Sequence, residues 1–414
     1  MSELEVLYVS SVPTPAQFDW MKQMRLPGVQ EVTYGMAESG FKFHSLIQDG
    51  LEQNGASVTS VVGRSATPTF YRGTWWKRVV ERVGDHRVVD HRAFPNRRGL
   101  KQIWLAASLT TAAWRWRLRT RGAGTRLVII DAAYVSALPG VLLATWGGGI
   151  RRITVVADVY TFMADVTDAS DRSGLVYRAL RRLMPQVYGR VDGFVLLTEQ
   201  MDTIVNRRQR PHMVMEGLVD RHMSQTVNAP SGKDALPTVL YAGALRREYG
   251  LATLIDGFRA LDDPDARLVI YGAGDFAPDI EQAARADARI DFRGSAPTET
   301  VLRAEEKAWL LVNPRPSDAE FTKYSFPSKN MEYLASGTPV LTTRLPGMPR
   351  EYYDYVLTID GSSDEHLTTA LRDALALGPD ELHRRGARGK DFVLEQKNNV
   401  IQARRILQFA TGRP

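Results

Sequence analysis

The sequence predicts an α/β protein made of two Rossmann-like, doubly wound domains. Three observations carry this prediction. The 414 residues are too many for one ordinary core and suggest about two domains. Short apolar runs bounded by turn residues, as buried parallel strands should be, alternate with helical patterns along the chain. The alternation then restarts after a polar stretch, Arg221–Leu236, which contains Pro230-Ser-Gly-Lys and reads as a linker. The expected layout is a first domain over 1–220, a linker over 221–236, a second domain over 237–390 and a terminal helix over 391–414.

Composition narrows the class. Hydrophobic content of 44% and charged content of 24% are those of a soluble globular protein. The absence of cysteine excludes disulfide scaffolds, thiolate metal sites and cysteine nucleophiles, and fits a reducing compartment. Met1-Ser-Glu-Leu-Glu shows no basic region followed by a long apolar run, so no signal peptide is expected. The apolar stretch Ala137–Trp146 is too short to span a bilayer. A net charge of +6 and a pI of about 9.4 favour anionic partners: nucleotide diphosphates, acidic lipids or nucleic acid.

Leu4–Val12 is a strand. A loop through Pro13, Pro15, Pro27 and Gly35 leads to Glu38-Ser39-Gly40, which opens a helix over Phe41–Asn54. Phe43, Leu46, Ile47 and Leu51 form its buried face, Gly55 ends it, and Ala56–Val62 is the second strand. A glycine at the helix entrance, Gly40, lets backbone approach a diphosphate closely, although no G-x-G-x-x-G is present. His44 either faces the ligand crevice or is a partly exposed structural histidine. Tyr71–Gly122 holds Trp75, Trp76, Trp104, Trp114 and Trp116, with about a dozen Lys and Arg against Glu81, Asp85 and Asp90. It is either a solvated basic face whose tryptophans reach the core, or an interfacial patch that docks on anionic headgroups. Nucleic-acid surfaces share this mixture, but no RNP, helix-turn-helix or zinc pattern accompanies it, so no nucleic acid is expected as partner.

Arg126–Asp131 is a strand, Ala133–Trp146 a helix ended by Gly147-Gly-Gly, and Ile153–Ala157 a strand running into Asp158. Carboxylates at the C-terminal ends of parallel strands point into the ligand crevice, which makes Asp131 and Asp158 site candidates; helix capping or loop bonding is the other role open to them. Ser170–Arg190 is amphipathic and basic. Asp192–Thr198 is a strand, Glu199–Arg207 a short helix, and His212–Met215 the last strand of this half.

In the second half, Thr238–Ala242 is a strand, Gly243–Gly250 a loop, Leu251–Leu261 a helix, Leu268–Tyr271 a strand and Phe292–Gly294 a short strand. Trp309–Val312, bounded by Asn313-Pro314, is a buried strand. Ser325 as N-cap and Pro327 in the first turn open a helix whose stripe is Met331, Leu334 and Ala335 and whose stop is Gly337; Pro339–Thr342 is the next strand. Free backbone N–H groups and the positive dipole end make an anion site at that helix start. Ser325, Ser328 and Lys329 add hydroxyls and a charge. Glu332, about a turn and a half along, can accept two ribose hydroxyls. Phosphate at the tip with a carboxylate behind it suits a nucleotide-sugar; a capped helix with solvated Lys and Glu is the other reading. The tail Glu381–Phe409 is one or two helices, apolar at Phe392, Val400, Ile401, Ile406 and Leu407.

The run Ser325-Phe-Pro-Ser-Lys-Asn-Met-Glu-Tyr-Leu-Ala-Ser-Gly-Thr-Pro-Val resembles the donor-site segment of GT-B retaining glycosyltransferases of the family-4 type, in the branch that reads SFPSK…EYxASGxPV. Asp192-Gly-Phe-Val-Leu-Leu-Thr-Glu-Gln-Met and Val214-Met-Glu-Gly-Leu-Val-Asp resemble the same branch. The resemblance implies a GT-B fold, with the two domains facing across a cleft and the last helix crossing back to the first. It implies that Glu332 binds the donor ribose and that Gly40 lies against the donor phosphates. The wider family's first Glu falls on Tyr324, with Glu320 in the same loop. Its strand-end His-Asp falls on Ala157 and Asp158. Its first loop, Gly-Arg-Leu-x-x-x-Lys-Gly, keeps Gly243 but has Ala244 and Tyr249 at the cationic positions; Arg246, Arg247 and Lys329 then redistribute the charge.

The implied activity is transfer of a sugar from a nucleotide-diphosphate donor to a glycan or lipid-linked acceptor hydroxyl, with retention. Lys329, Arg246, Arg247 and Asp158 are the expected catalytic residues, and Gly40, Gly243, Ser325, Phe326, Ser328 and Glu332 the donor-binding ones. No metal and no cofactor are expected, the nucleotide-sugar being a substrate. Domain closure would complete the site and exclude water. A bacterial cell-surface polysaccharide or glycolipid pathway is implied, with a cytoplasmic location, peripheral to the inner face of the membrane through Tyr71–Gly122. Three alternatives stand. One is a non-catalytic nucleotide-sugar-binding protein, given the substituted positions. Another is a GT-B epimerase, which needs carboxylate pairs and would have only Asp131 and Asp158. The third is a nucleic-acid-binding protein.

Overall fold

The computed structural model describes residues 4–26, 35–66, 71–97, 99–132, 137–157, 159, 186–225 and 227–412, with the side chains of 35–39 excepted. The chain forms two compact units, Met1–Met215 with Asn399–Pro414, and Glu216–Asn398. Residues 221–236, expected as a linker, fall inside the second unit, where they form 3-10 turns at Arg221–Gln225 and Pro230–Gly232.

The first unit is built on an eight-stranded sheet. Its strands are β1 (Leu4–Ser10), β2 (Ser57–Val62), β4 (Val79–Val83), β5 (Arg87–His91), β7 (Thr125–Asp131), β8 (Ile150–Val156), β9 (Gly193–Leu196) and β10 (His212–Val214). They lie in the order β10-β9-β8-β7-β1-β2-β5-β4, all parallel except the edge strand β4. β3 (Trp75–Trp76) and β6 (Phe94–Pro95) form a separate antiparallel pair. Near-continuous burial of Val6–Val9, Leu127–Ile130 and Ile153–Val156 is what a parallel sheet covered on both faces demands.

Among the described residues, the named helices of this unit are α1 (Pro15–Gln23), α2 (Gly35–Gln53), α3 (Leu100–Arg119), α4 (Leu138–Ala144) and α5 (Asp202–Val205). α1 replaces part of the loop expected after the first strand. Thr14 caps it, accepting a hydrogen bond from the Gln17 N–H at 3.3 Å, and Pro15 occupies its first turn, a start signal as good as the one read at Ser325. The final helix, α12 (Asn399–Thr411), belongs to this unit and packs on α2. There the Asn399 carbonyl lies against Gly50, where an added Cβ would sit 2.1 Å from it, and Asn54 Nδ2 donates to the Val400 carbonyl at 2.8 Å.

The second unit has a six-stranded parallel sheet, in the order β13-β12-β11-β14-β15-β16. The strands are β11 (Thr238–Ala242), β12 (Arg267–Tyr271), β13 (Ile290–Gly294), β14 (Leu310–Asn313), β15 (Val340–Thr343) and β16 (Leu357–Ile359). Its helices are α6 (Leu251–Arg259), α7 (Ala277–Ala286), α8 (Thr298–Lys307), α9 (Ser328–Ser336), α10 (Asp364–Ala376) and α11 (Gly378–Gln396). Strand periodicity splits the core in two. Val239, Tyr241, Leu268, Ile270, Leu310 and Val312 join one apolar cluster, and Leu240, Ala242, Val269, Tyr271, Leu311 and Val340 the other. Both faces of the sheet are therefore buried, as in a doubly wound unit.

Candidate active site

In each sheet the strand order reverses at one place, and ligands of doubly wound sheets bind beyond the carboxyl ends of the strands there. In the second unit the reversal lies between β11 and β14. The loop after β11 is Gly243–Gly250; the loop after β14 leads through Pro314 and Arg315 to a 3-10 turn, Glu320–Lys323, and on to α9.

Lys329, in the first turn of α9, crosses to the end of β11. Its Nζ donates to the Ala242 carbonyl and lies 5.7 Å from the Tyr241 ring centroid. Gly243 makes that reach possible: a Cβ there would fall 1.6 Å from Lys329 Nζ, and its φ of 153° is one that side chains rarely adopt. Gly272 and Gly274 pack in the same way against the backbone of Gly243 and Leu245. Tyr333, one turn further along α9, is buried. Its hydroxyl donates to the Ala242 carbonyl at 3.0 Å and accepts the Ala242 N–H at 2.8 Å, and burial pushes its pKa up.

The helix start differs in detail from the expectation. α9 begins at Ser328, and Pro327 stands at the cap position without a side-chain capping bond. Ser325 is not the cap; its hydroxyl turns back to the Phe321 carbonyl at 3.1 Å, closing the preceding 3-10 turn. Phe326, expected at the donor, is buried in the core, 5.2 Å from the Tyr352 ring. Ser328 is exposed and Glu332 half-buried on the helix. Arg246 pairs with Glu248 at 3.2 Å. Arg247 pairs with Asp279 at 2.7 Å and stacks on Phe276. Glu320 is exposed. Sequence reasoning missed Arg315. Its guanidinium stacks on Tyr249 at 4.4 Å and Phe321 at 5.5 Å, and the signal available was an arginine just past the end of a buried strand.

In the first unit the order reverses between β1 and β7. Asp131 ends β7, Tyr8 lies on β1, and α2 brings His44 onto both. The His44 ring makes a 2.6 Å hydrogen bond to the Tyr8 hydroxyl through Nδ1 and stands 3.6 Å from Asp131 Oδ1 through Nε2. All three side chains are buried, so His44 is not the partly exposed residue of the sequence reading. Burial lowers the His44 pKa more than Asp131 raises it. Gly40 departs from expectation too. α2 begins at Gly35, so Gly40 lies within the helix and not at its entrance; Met36-Ala-Glu are ordinary helix residues and extend it. Asp158 lies outside the described residues. Ala157 follows directly after β8 and is half-buried.

Residues 236–376 match the family model described as glycosyl transferases group 1. Nothing among the curated proteins matches the chain. Solved structures match it along its whole length. Sucrose-phosphate synthase from Thermosynechococcus elongatus is 14% identical, with 98% of each chain covered and a TM-score of 0.63. HepE of Anabaena, in complex with UDP, is 11% identical over 99% of this chain and 100% of its own, at 0.62. WaaG, a glycosyltransferase involved in lipopolysaccharide biosynthesis, is 15% identical over 98% and 100%, at 0.57. The fold is therefore the GT-B type. Within it, the second unit carries the stretch that matches glycosyl transferases group 1, which runs from just before β11 through α9 and β15 to the end of α10.

Proposed function

We propose that the protein is a retaining, metal-independent glycosyltransferase that takes its sugar from a nucleotide-diphosphate donor. The observation that carries this reading is the end of β11, where Lys329 reaches over Gly243 from the uncapped tip of α9, within the stretch that matches glycosyl transferases group 1. A helix N-terminus and an ammonium at a strand-order reversal suit a leaving diphosphate. Glu332 on α9 takes the ribose hydroxyls and Ser328 a phosphate oxygen. Arg246 and Arg247, each paired through one terminal nitrogen to Glu248 and Asp279, keep further N–H donors that a ligand can take.

In the reaction, the bond between the anomeric carbon and the phosphate oxygen breaks as the acceptor oxygen bonds to that carbon on the same face. The acceptor proton passes to the departing phosphate, so no protein nucleophile is consumed. Dipoles and cations that hold the developing charge supply the catalysis.

The acceptor we infer is a glycan or lipid-linked sugar at the cytoplasmic face of a membrane, in assembly of cell-surface polysaccharide or glycolipid. The exposed side of α3 supports this placement. Leu100, Ile103, Trp104 and Trp114 are all exposed on it, and Trp75 meets the Trp104 ring edge-on at 5.3 Å. Trp76 and Trp116 instead enter the core, so the tryptophan-rich segment divides between buried rings and an exposed face.

The test is thermal stability of the full chain against UDP-, GDP-, ADP- and CDP-sugars, followed by NMR of the product's anomeric proton. The expected outcome is a raised midpoint with one donor, lost in Lys329→Ala and Glu332→Ala, and a product with the donor's configuration. An inverted product would rule out retention. Binding without turnover on any acceptor would favour the non-catalytic alternative.

A further inference from the structure

We propose that Arg315 is the residue that grips the diphosphate of the donor; the inference rests on the donor-site reading above. Arg315 stands just past β14, on one side of the strand-order reversal, and faces the loop that leaves β11. The two loops touch through backbone. A Cβ on Gly250, whose φ is 76°, would lie 2.1 Å from the Pro314 carbonyl oxygen. The Arg315 carbonyl accepts the Thr343 hydroxyl at the end of β15, so three strand ends fix its position.

Its side chain is set between two rings, Tyr249 and Phe321, which hold the guanidinium plane. Its charge acts on the hydroxyl of Tyr241, the ring over which Lys329 lies, lowering a pKa that burial raises. Among the described residues this guanidinium has no carboxylate and no hydrogen-bond acceptor, and its Nε is buried without a partner. Neighbouring arginines are spent on carboxylates: Arg246 on Glu248, Arg247 on Asp279, Arg344 on Asp360. A half-buried cation without a counter-ion has lost hydration that an incoming anion can replace. A stacked guanidinium offers its donor edge in a fixed plane, the geometry that matches two phosphate oxygens at once. Two anions fit such a group, a nucleoside diphosphate and free pyrophosphate, and titration separates them.

The experiment is calorimetric titration of the full chain with UDP, GDP, ADP and CDP, with the matching nucleosides and with inorganic pyrophosphate. Arg315→Met keeps an unbranched side chain on the rings without the charge, Arg315→Lys keeps the charge without the fork, and Arg303→Met removes a charge from the exposed face of α8. The expected result is one nucleoside diphosphate whose Kd rises by at least about tenfold in Arg315→Met and by about threefold or more in Arg315→Lys. Its nucleoside and Arg303→Met stay within about twofold of the starting values on the same scale. Equal diphosphate affinity in wild type and Arg315→Met would overturn the assignment. Parallel loss of nucleoside and diphosphate would also overturn it, because that marks a packing role. Pyrophosphate alone binding through Arg315 would leave an anion site that is not a donor site. If the wild type binds none of the four nucleotides, the donor reading itself falls. Should Arg315→Met fail to fold, the Arg315→Lys ratio decides.

Discussion

His91 ends β5 with its ring buried, and burial pushes its pKa from 6.5 down to about 4. Its Nε2 accepts the backbone N–H of Thr14 at 3.1 Å, and Thr14 caps α1 while donating its hydroxyl to Glu81. A protonated ring cannot accept that bond. The unfolded chain takes up this proton near pH 6.5 and the folded chain only near 4, so in between the unfolded state binds more protons. The stabilisation is complete above pH 6.5 and is lost as pH falls through 4, at most about 3 kcal/mol. His44, lowered by burial against Asp131, works in the same direction. Thermal midpoints between about pH 7.5 and 4.5 should fall more steeply for the wild type than for His91→Gln, whose amide oxygen can accept the same bond without titrating. Parallel curves would assign the acid loss to other groups.

At the scale of elements, the second unit was the more legible. The strands at Thr238–Ala242 and Trp309–Val312 and the helix to Gly337 announce themselves by apolar runs, proline and a glycine stop, and the structure keeps them within a few residues. What pattern could not give was contact. The buried Tyr8–His44–Asp131 group joins three segments far apart in sequence, and Arg315 acquires its meaning only from the rings of Tyr249 and Phe321. Nor could spacing show that Glu216 and Lys397, at the two ends of the second unit's chain, form a buried ion pair at 2.6 Å. Lys397 also reaches Glu351 at 2.6 Å, Glu216 accepts the Tyr352 hydroxyl at 2.7 Å, and the Val219 N–H donates to the Lys397 carbonyl at 3.1 Å. The pair thus ties the segment entering this unit to the segment leaving it. Removing one partner strands a buried charge, so Lys397→Met should cost about 3 kcal/mol in urea unfolding. Glu216→Gln with Lys397→Met should recover more than half of that, since neither charge is then left alone. A double variant no better than the single would shift the cost to the lysine stem packed on Tyr352 and Phe392.

At the scale of the whole molecule, charge is not spread evenly. Residues 71–122 hold thirteen Lys and Arg against three acidic residues, a net +10 in a chain whose total is +6, so the remainder is net negative. Several of these cations are used inside the first unit: Arg78 and Arg92 pair with Asp90, Arg87 pairs with Asp49, and Lys101 is buried. Arg72, Lys77, Arg82, Arg97, Arg115, Arg119 and Arg121 remain exposed. On α3 the exposed Leu100, Ile103, Trp104, Ala107, Thr111 and Trp114 fall within an arc of about 100°, and Arg115 and Arg119 follow on its flank. No described helix is long and apolar enough to cross a bilayer, so this face would act by lying in the headgroup region. Each basic residue near an anionic surface contributes about 1 kcal/mol, screened over about 10 Å at 0.1 M salt. The full chain should therefore co-sediment with vesicles containing phosphatidylglycerol and not with pure phosphatidylcholine, and should release as salt approaches about 0.5 M. Arg115→Glu with Arg119→Glu should remove most of the salt-sensitive binding. Ile103→Ser with Trp104→Ser should weaken what survives at high salt, and all four substitutions should leave nucleotide affinity in the second unit unchanged. Equal binding to neutral vesicles, or variants that bind as the wild type does, would mean that α3 is not the docking face and that the acceptor reaches the protein without a membrane surface.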